Sequence, residues 1–525
     1  MKTRIISPVI AVTALLFTQC GLKKTPKFEP NTPVIVEKEE DVNGYSSSPP
    51  PPDFNKATTA QDPVSADNDP TNHTVVNWAK SAVIYEVNTR QYTQEGTFNA
   101  FAKHLPRLKN LGVDVLWFMP IQPIGVKNRK GELGSYYSIS NYTGVNTEYG
   151  NIEDFKAIIK TAHQMGMKVI LDWVGNHTAW DHPWIQEHPN WYVHNDSGKI
   201  VTPWDWTDVA QLDYSNKELR AAMIEQMRYW LDLGLDGFRC DVSFLVPVSF
   251  WNEARESLTH FGNVKVISNE TEETRDIFML AEMEWNTDKE ANPAKYMYQA
   301  FDAYYAWTFH GKAAELAKGK IDAKTFLEIT TEMRQRFPHN SMPMTFITNH
   351  DENSWNGTVN EKFGDKWKLF SALCYTYPNG IPMIYSGEEA NNPKRLEFFK
   401  KDPIKWGDTS RFAWYRFMNN LKETHPALHS SVSSSRVVTS PMKPAEGMSA
   451  GMYIYTLTDE YTKKSITVVA NLSDEAGPID LSRLEGFQNL TTKNIATGEK
   501  FILDSKSTNL NSIQMNPWGF FILNH

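Results

Sequence analysis

The stretch "DGFRCD" at residues 236–241 follows a run of helical periodicity that stops at Gly234, and it reads as a short strand. Alternation along a strand places Arg239 and Asp241 on one face and turns Cys240 to the other. In a parallel barrel the C-terminal strand ends carry the active site. The pair therefore predicts a reactive mouth at that end, with Asp241 as a nucleophile and Cys240 as a buried thiol.

Outward from this stretch, the chain from Ser81 alternates short apolar runs with amphipathic helices, the pattern of a parallel α/β sheet. Strands are expected at 82–87 ("AVIYEV"), 113–120 ("VDVLWFMP"), 167–172 ("MKVILD"), 235–242 ("LDGFRCDV"), 277–282 ("IFMLAE"), 301–306 ("FDAYYA"), 344–351 ("MTFITNHD") and 381–387 ("IPMIYSG"). Between them, one helix is predicted from Phe98 to about Asn110, ended by Gly112, and another is capped by Asn151 and stopped by Gly166. Ser215 and Glu218 form a capping box for a helix running to Leu233. Eight such alternations over residues 78–428 predict a TIM (β/α)8 barrel. An open doubly wound sheet is the alternative, but it would be expected to carry a Gly-rich phosphate loop, and none is present.

Periodicity fails between His177 and Gln211, where Trp180, Trp184, Trp191, Trp204 and Trp206 crowd together. This predicts a small inserted domain over about 178–212, after the third strand. From residue 429 to 525 the helices stop, and runs such as "GMYIYTLT" (451–458), "SITVVANL" (465–472) and "GFFIL" (519–523) predict a C-terminal antiparallel β-sandwich.

The net charge of −9 and pI near 5.9 offer no basic stripe, which argues against a nucleic-acid partner. Lys2 and Arg4 followed by a largely apolar run from Ile5 to Phe17 read as a signal peptide over 1–20, too short to span a bilayer as a mature helix. Cys20 stands directly after it, where bacterial lipoproteins carry their lipidated cysteine, although Gln19 is not the small residue usual before it. Residues 21–77, including "SSSPPPP" at 46–52, lack periodicity and are expected to be a disordered tether. The chain is thus expected to be exported and either lipid-anchored to a bacterial membrane or secreted. Cys240 and Cys374 lie in apolar segments and form no disulfide framework.

Polar residues cluster at predicted strand ends: Asp172, Asn176 and His177 after the third, Arg239 and Asp241 on the fourth, Glu282 on the fifth, His350 and Asp351 after the seventh. Any one of them could be a structural strand-end group. Together, in a barrel, they converge on one mouth. Three carboxylates there suit glycosidic cleavage, with Asp241 attacking the anomeric carbon and Glu282 protonating the leaving oxygen. Arg239 would keep Asp241 ionised and orient it. Asp351, with His350 and His177, would hold the sugar hydroxyls and stabilise the transition state. This arrangement predicts retention of anomeric configuration.

These residues also carry a family resemblance. "LDWVGNH" (171–177), "GFRCD" (237–241), "AEMEW" (281–285) and "TNHD" (348–351) resemble, in order, the four signature regions of the α-amylase family, glycoside hydrolase family 13. "LWFMP" (116–120), "QLDYSN" (211–216) and "GIPMIYSGEE" (380–389) add to the resemblance. It implies the barrel, the insertion, the C-terminal sandwich, and a Tyr137 stacked under the sugar at the cleavage point. It implies an α-glucan substrate, no organic cofactor, and in many members a calcium ion. Two features depart from the family. Phe244 and Leu245 replace a Lys-His pair common after the nucleophile, and Gln211 replaces an acidic calcium ligand, leaving Asn176 as the candidate metal ligand.

The expected activity is hydrolysis of α-1,4-glucosidic bonds in starch, maltodextrin or related glucans, by a monomer. An α-glucosidase, a cyclomaltodextrinase or neopullulanase, and a glucan transferase stay open, since all use the same carboxylates and Val242 occurs in more than one of them. A catalytically inactive glucan-binding surface protein is the reading of another class.

Overall fold

The computed structural model describes residues 75–260, 276–284, 300–337, 341–430, 437–439, 443–444, 451–480, 491–498, 500–502 and 512–524. The signal peptide, Cys20 and the tether up to residue 74 lie outside the described residues, as does Trp285.

Eight parallel strands close into a barrel: β1 (Ile84–Val87), β2 (Val115–Phe118), β3 (Lys168–Trp173), β4 (Gly237–Cys240), β5 (Phe278–Ala281), β6 (Ala303–Tyr305), β7 (Met342–Thr345) and β8 (Ile381–Tyr385). Each strand pairs with its sequence neighbours, and β8 closes on β1. The lower lumen is filled by Ile84, Val115, Ile170, Phe278, Met342 and Ile381, while the opposite faces of the strands pack under the surrounding helices. The lumen is therefore a packed core below and a polar chamber above. At Gly237 an added Cβ would stand 1.9 Å from the Phe278 carbonyl oxygen, so β4 and β5 can approach only with glycine there. Cys240 lies on the outer face in the helix-packed layer, as alternation predicts.

Three strands share a device visible in "VDVLWF", "LDGFRC" and "FDAYYA". Asp114, Asp236 and Asp302 precede β2, β4 and β6, and each carboxylate accepts the backbone N–H of the preceding strand's first turn of chain: Val83 (3.0 Å), Val169 (2.8 Å) and Met279 (2.8 Å). Each aspartate also donates its own N–H to the carbonyl of that same residue. The three pairs staple alternate strand junctions at the barrel floor. Asp302 additionally accepts the Val76 N–H, so Val75 and Val76, at the end of the segment read as a tether, are buried against this floor.

Several local expectations need correction. Strand β7 begins two residues earlier than expected and ends at Thr345, because Pro343 lies inside it where proline usually argues against a strand. "TNHD" is consequently the turn above the strand. The helix expected over 98–110 is two pieces, Phe98–Ala102 and Leu105–Leu111, with Pro106 in the first turn of the second. Asn216, not Ser215, caps the helix Lys217–Asp232, accepting from Glu218 N and Leu219 N. The Asn151 cap of Ile152–Gln164 forms a full capping box with Asp154.

The tryptophan-rich insertion is closed at its base by the antiparallel pair His177–Ala179 and Val209–Gln211. At the C-terminal end, Val437–Thr439, Met452–Asp459, Ser465–Asn471 and Phe520–Asn524 form one antiparallel sheet, accompanied by two shorter strand pairs.

Asp236→Ala removes the acceptor of the Val169 N–H and the partner of His163 at 2.7 Å. It is expected to lower the unfolding free energy by about 1–3 kcal/mol, the range for a buried donor left unsatisfied. A urea-denaturation midpoint equal to wild type would show that the floor staple contributes nothing.

Candidate active site

Arg239 stands at the centre of the upper lumen, fully buried. Its Nη1 donates to Asp172 Oδ1 at 2.8 Å and Asp241 Oδ1 at 3.0 Å, its Nη2 pairs with Glu282 Oε2 at 2.8 Å, and its Nε donates to the Tyr305 hydroxyl at 3.0 Å. Strand register produces this cluster, since Asp172 and Arg239 are Cα partners across β3 and β4 and β5 ends one residue before Glu282. Trp117 closes the cluster from β2, with its ring 5.2 Å from the guanidinium carbon and its Nε1 donating to Asp172 Oδ2. A charge this deep is tolerable only when it is paired, and three carboxylates pair it here.

A second set lies beside the first. Tyr137 donates to Asp172 Oδ2 at 3.2 Å, its hydroxyl meets His350 Nε2 at 2.7 Å, and its ring stacks on the His350 ring at 5.5 Å. His350 Nδ1 bonds Glu86 Oε1, and Nε2 lies 3.4 Å from Asp351 Oδ2. The Asp351 side chain is 29% exposed, whereas that of Glu282 is 9% and that of Asp241 is 10%. Asp351 is thus the carboxylate nearest solvent. Its backbone is fixed by a wide helical turn over Glu352–Asn356, where Glu352 is buried against His310 at 3.0 Å and Lys362.

Glu282 is held from the backbone. The Val242 N–H donates to its Oε2 at 2.8 Å, and Val242 adopts φ +36° and ψ +45°, a conformation rare for a β-branched residue. Such strain persists where the surroundings enforce it and tends to collect at functional sites. Here it aims an amide proton at Glu282.

His177 is buried, and burial holds its imidazole down to about 3, so it is neutral. Its ring bonds the Tyr137 backbone and packs edge-on to Trp206 at 5.5 Å, so it supports the stacking tyrosine. Asn176 faces His177 Nδ1 at 3.2 Å, with neutral Gln211 paired across the hairpin from His177. Calcium needs six to eight oxygens, usually including carboxylates. Among the described residues no group of three or more His, Cys, Asp or Glu side chains could hold a metal ion, so the surroundings of Asn176 do not fit calcium.

The upper lumen contains groups that sequence patterns did not single out. Glu86 sits inside an apolar strand; the lone charge in "AVIYEV" was the available signal. Arg90, just beyond β1, donates to the carbonyls of Gly134 and Phe398 at 3.1 Å and of Leu133 at 3.3 Å, and Gln91 donates to those of Glu397 and Lys400 at 2.7 Å. These two side chains tie down the loops that carry Tyr137 and Phe398, and nothing in their spacing marks them.

Burial dominates the titration of the cluster. It pushes the Asp241 carboxyl well above the ordinary carboxylate range against the pull of Arg239, with Glu282 and Asp172 adding to the rise. Asp172 is pushed up to about 6 for the same first reason. The assembly offers several carboxylates around an aromatic-walled mouth, one of them backbone-held and one partly open to solvent.

Residues 53–413 match the family model of the α-amylase catalytic domain. The chain is 25% identical over 418 residues to an α-amylase of Haloarcula japonica, covering 77% of this chain and 57% of that protein's length, and 25% identical over 396 residues to a probable oligo-1,6-glucosidase of Bacillus subtilis, covering 62% and 68%. Among solved structures, an α-amylase from Lactobacillus plantarum aligns with a TM-score of 0.72 at 27% identity, over 85% of this chain and 99% of that one. With the closed barrel and the convergence of residues from β3, β4, β5 and the turn after β7, the match over most of the chain's length places this protein in the α-amylase family.

Proposed function

We propose that the chain is a retaining glycosidase that hydrolyses α-1,4-glucosidic bonds in starch, maltodextrin or related α-glucans. The observation that carries this reading is that Asp241 and Glu282 contact the two terminal nitrogens of one guanidinium, with Asp351 across from them beside His350. A shared guanidinium keeps the two carboxyls near each other, and retaining enzymes hold theirs at about 5–5.5 Å.

In the first step an Asp241 oxygen bonds to the anomeric carbon as the glycosidic C–O bond breaks, and Glu282 transfers its proton to the departing oxygen. Glu282 Oε2 is occupied by Val242 N–H and Arg239, which leaves Oε1 to carry that proton. In the second step Glu282 takes a proton from water, whose oxygen displaces Asp241. Asp351 and His350 bind sugar hydroxyls on the opposite side, and the Tyr137 ring supports the sugar face.

One observation favours transfer to a second sugar as an accompanying reaction. Phe244 follows the Val242–Ser243 segment that holds Glu282, and its ring lies 6.3 Å from that of Trp204 in the insertion. An apolar wall on the leaving-group side favours a sugar acceptor over water. The oligo-1,6-glucosidase relative makes pullulan worth testing beside α-1,4 substrates.

Asp241→Asn is expected to reduce release of reducing sugar from soluble starch by at least about 10³-fold, with Glu282→Gln losing about 10²–10⁴-fold. Time-resolved products from starch, maltotriose, pullulan and cyclodextrin assign the linkage and the share of transfer. Equal rates for Asp241→Asn and wild type would refute the mechanism.

The pH profile follows from burial. Attack requires the Asp241 carboxylate, and a raised pKa means the proton is kept to higher pH, so activity is lost on acidification earlier than for an ordinary aspartate near 4. The acid limb of kcat/KM on maltotriose is expected at a higher pH than an ordinary aspartate would give. A limb centred near pH 4 would contradict this.

We further propose that the protein is exported and lipid-anchored through Cys20, on the strength of the charged start, the apolar run and the position of the cysteine. Cys20→Ala is expected to move the protein from the detergent phase to the aqueous phase on phase partitioning. Unchanged partitioning would argue for another means of retention.

A further inference from the structure

We propose that Glu86 is a buried, protonated carboxylic acid that fixes His350 with its proton on Nε2, facing the sugar-binding side of the mouth. The proposal rests on the glycosidase reading for the role of His350, but its basis is a count of donors and acceptors.

Asp172 accepts from two obligate donors, Arg239 Nη1 on one oxygen and Trp117 Nε1 on the other. Ionised against Arg239, it can only accept from Tyr137 as well. The single phenolic proton of Tyr137 therefore goes to Asp172. Its oxygen then has only lone pairs to offer His350 Nε2 at 2.7 Å, so Nε2 must carry a hydrogen. Asp351 supports the same assignment, because a bare Nε2 lone pair 3.4 Å from its carboxylate would be repelled and an N–H is attracted.

A neutral imidazole has one N–H, so Nδ1 is then an acceptor. Its partner is Glu86 Oε1, which must supply the proton. Glu86 is fully buried on β1, and its Oε2 has no hydrogen-bond partner. An ionised carboxylate with one oxygen unsatisfied in such a place is costly, whereas a neutral acid needs to donate only once. The alternative that moves this proton onto the ring, an imidazolium beside a carboxylate, charges two buried groups instead of none. Burial acts on both partners in the same sense, pushing Glu86 up and His350 down. The charged and titratable groups facing Glu86 are Arg239, Glu282, Asp351, Tyr305 and Tyr385; Arg239 and a hydrogen bond from the His350 backbone favour its anion, and burial outweighs both.

Glu86 is accordingly a positioning residue that acts through His350. Glu86→Gln can still donate an N–H to Nδ1 and is expected to keep kcat and KM within about threefold of wild type, by the isosteric exchange of one neutral donor for another. Glu86→Leu removes the donor and is expected to raise KM more than it lowers kcat, through loss of the oriented sugar contact. The decisive readouts need no substrate. An infrared difference spectrum of wild type minus Glu86→Gln at pH 7 is expected to show the carbonyl stretch of a protonated carboxylic acid. Nitrogen NMR of histidine-labelled wild type, with the His350 signals identified by their loss in His350→Gln, is expected to show a protonated Nε2 and a bare Nδ1. A carboxylate band in place of the acid band, or a proton on Nδ1, overturns the proposal. The NMR measurement decides it even where a Glu86 variant does not fold. Because both spectra are taken without substrate, their failure leaves the hydrolytic reading to stand or fall on the Asp241→Asn assay.

Discussion

The upper lumen depends on a single buried guanidinium. Arg239 has no access to water, so its charge must be matched by protein groups in fixed positions, and Asp172, Asp241 and Glu282 meet that demand from three adjacent strands. The requirement runs both ways. Without Arg239, three carboxylates on neighbouring strand ends would repel one another in a poorly solvated space, and breaking a buried pair of this kind costs about 3–5 kcal/mol. The barrel's register, the absence of a side chain at Gly237 that lets β4 approach β5, and the stapled floor all serve to keep those strands within reach of one cation.

Tyr137 and His350 are coupled to this centre through Asp172, and the coupling explains why loops distant in sequence must arrive together. Tyr137 comes from the loop after β2, His350 from the turn after β7, and Glu86 from β1. Arg90 and Gln91 bind that first loop and the long one after β8 through backbone carbonyls, which constrains position without depending on the side chains presented. His177 performs a similar service from the insertion. It is neutral and buried, and its contact with the Tyr137 backbone sets it beside the loop that carries that tyrosine.

Much of this was legible in the sequence because strand alternation and strand ends are local properties. Arg239 and Asp241 could be put on one face from their spacing, and the eight strands from apolar runs separated by amphipathic helices. What escaped were features set by tertiary contact. Glu86 sits in a run otherwise apolar, where hydrophobicity decides the strand and hides the acid. Trp117 and Tyr305 lie in apolar strand runs, yet each gives a polar atom to the Arg239 cluster. Pro343 shifted the expected start of β7, since proline's missing donor argues against a strand unless the neighbouring strand does not need it. The candidate calcium ligand Asn176 shows the same dependence on tertiary contact: one amide at a strand end has meaning for a cation only through the groups around it, and those beside it are His177 and Gln211.

In the proposed glycosidase reaction, the same burial that makes these carboxylates reluctant to ionise would give them their leverage on a glycosidic bond. In the resting site Asp241 and Asp172 are held above their ordinary range because water is replaced by protein and Arg239 must serve several anions at once. The resting site is thus short of positive charge. An oxocarbenium-like sugar supplies that charge where it is missing, and in a medium of low polarity the attraction is far stronger than it would be in water. A neutral ground-state sugar receives little of this benefit. The excess of carboxylate over guanidinium therefore discriminates between substrate and transition state, and a second arginine in the lumen would have made the site more comfortable and less able to do so.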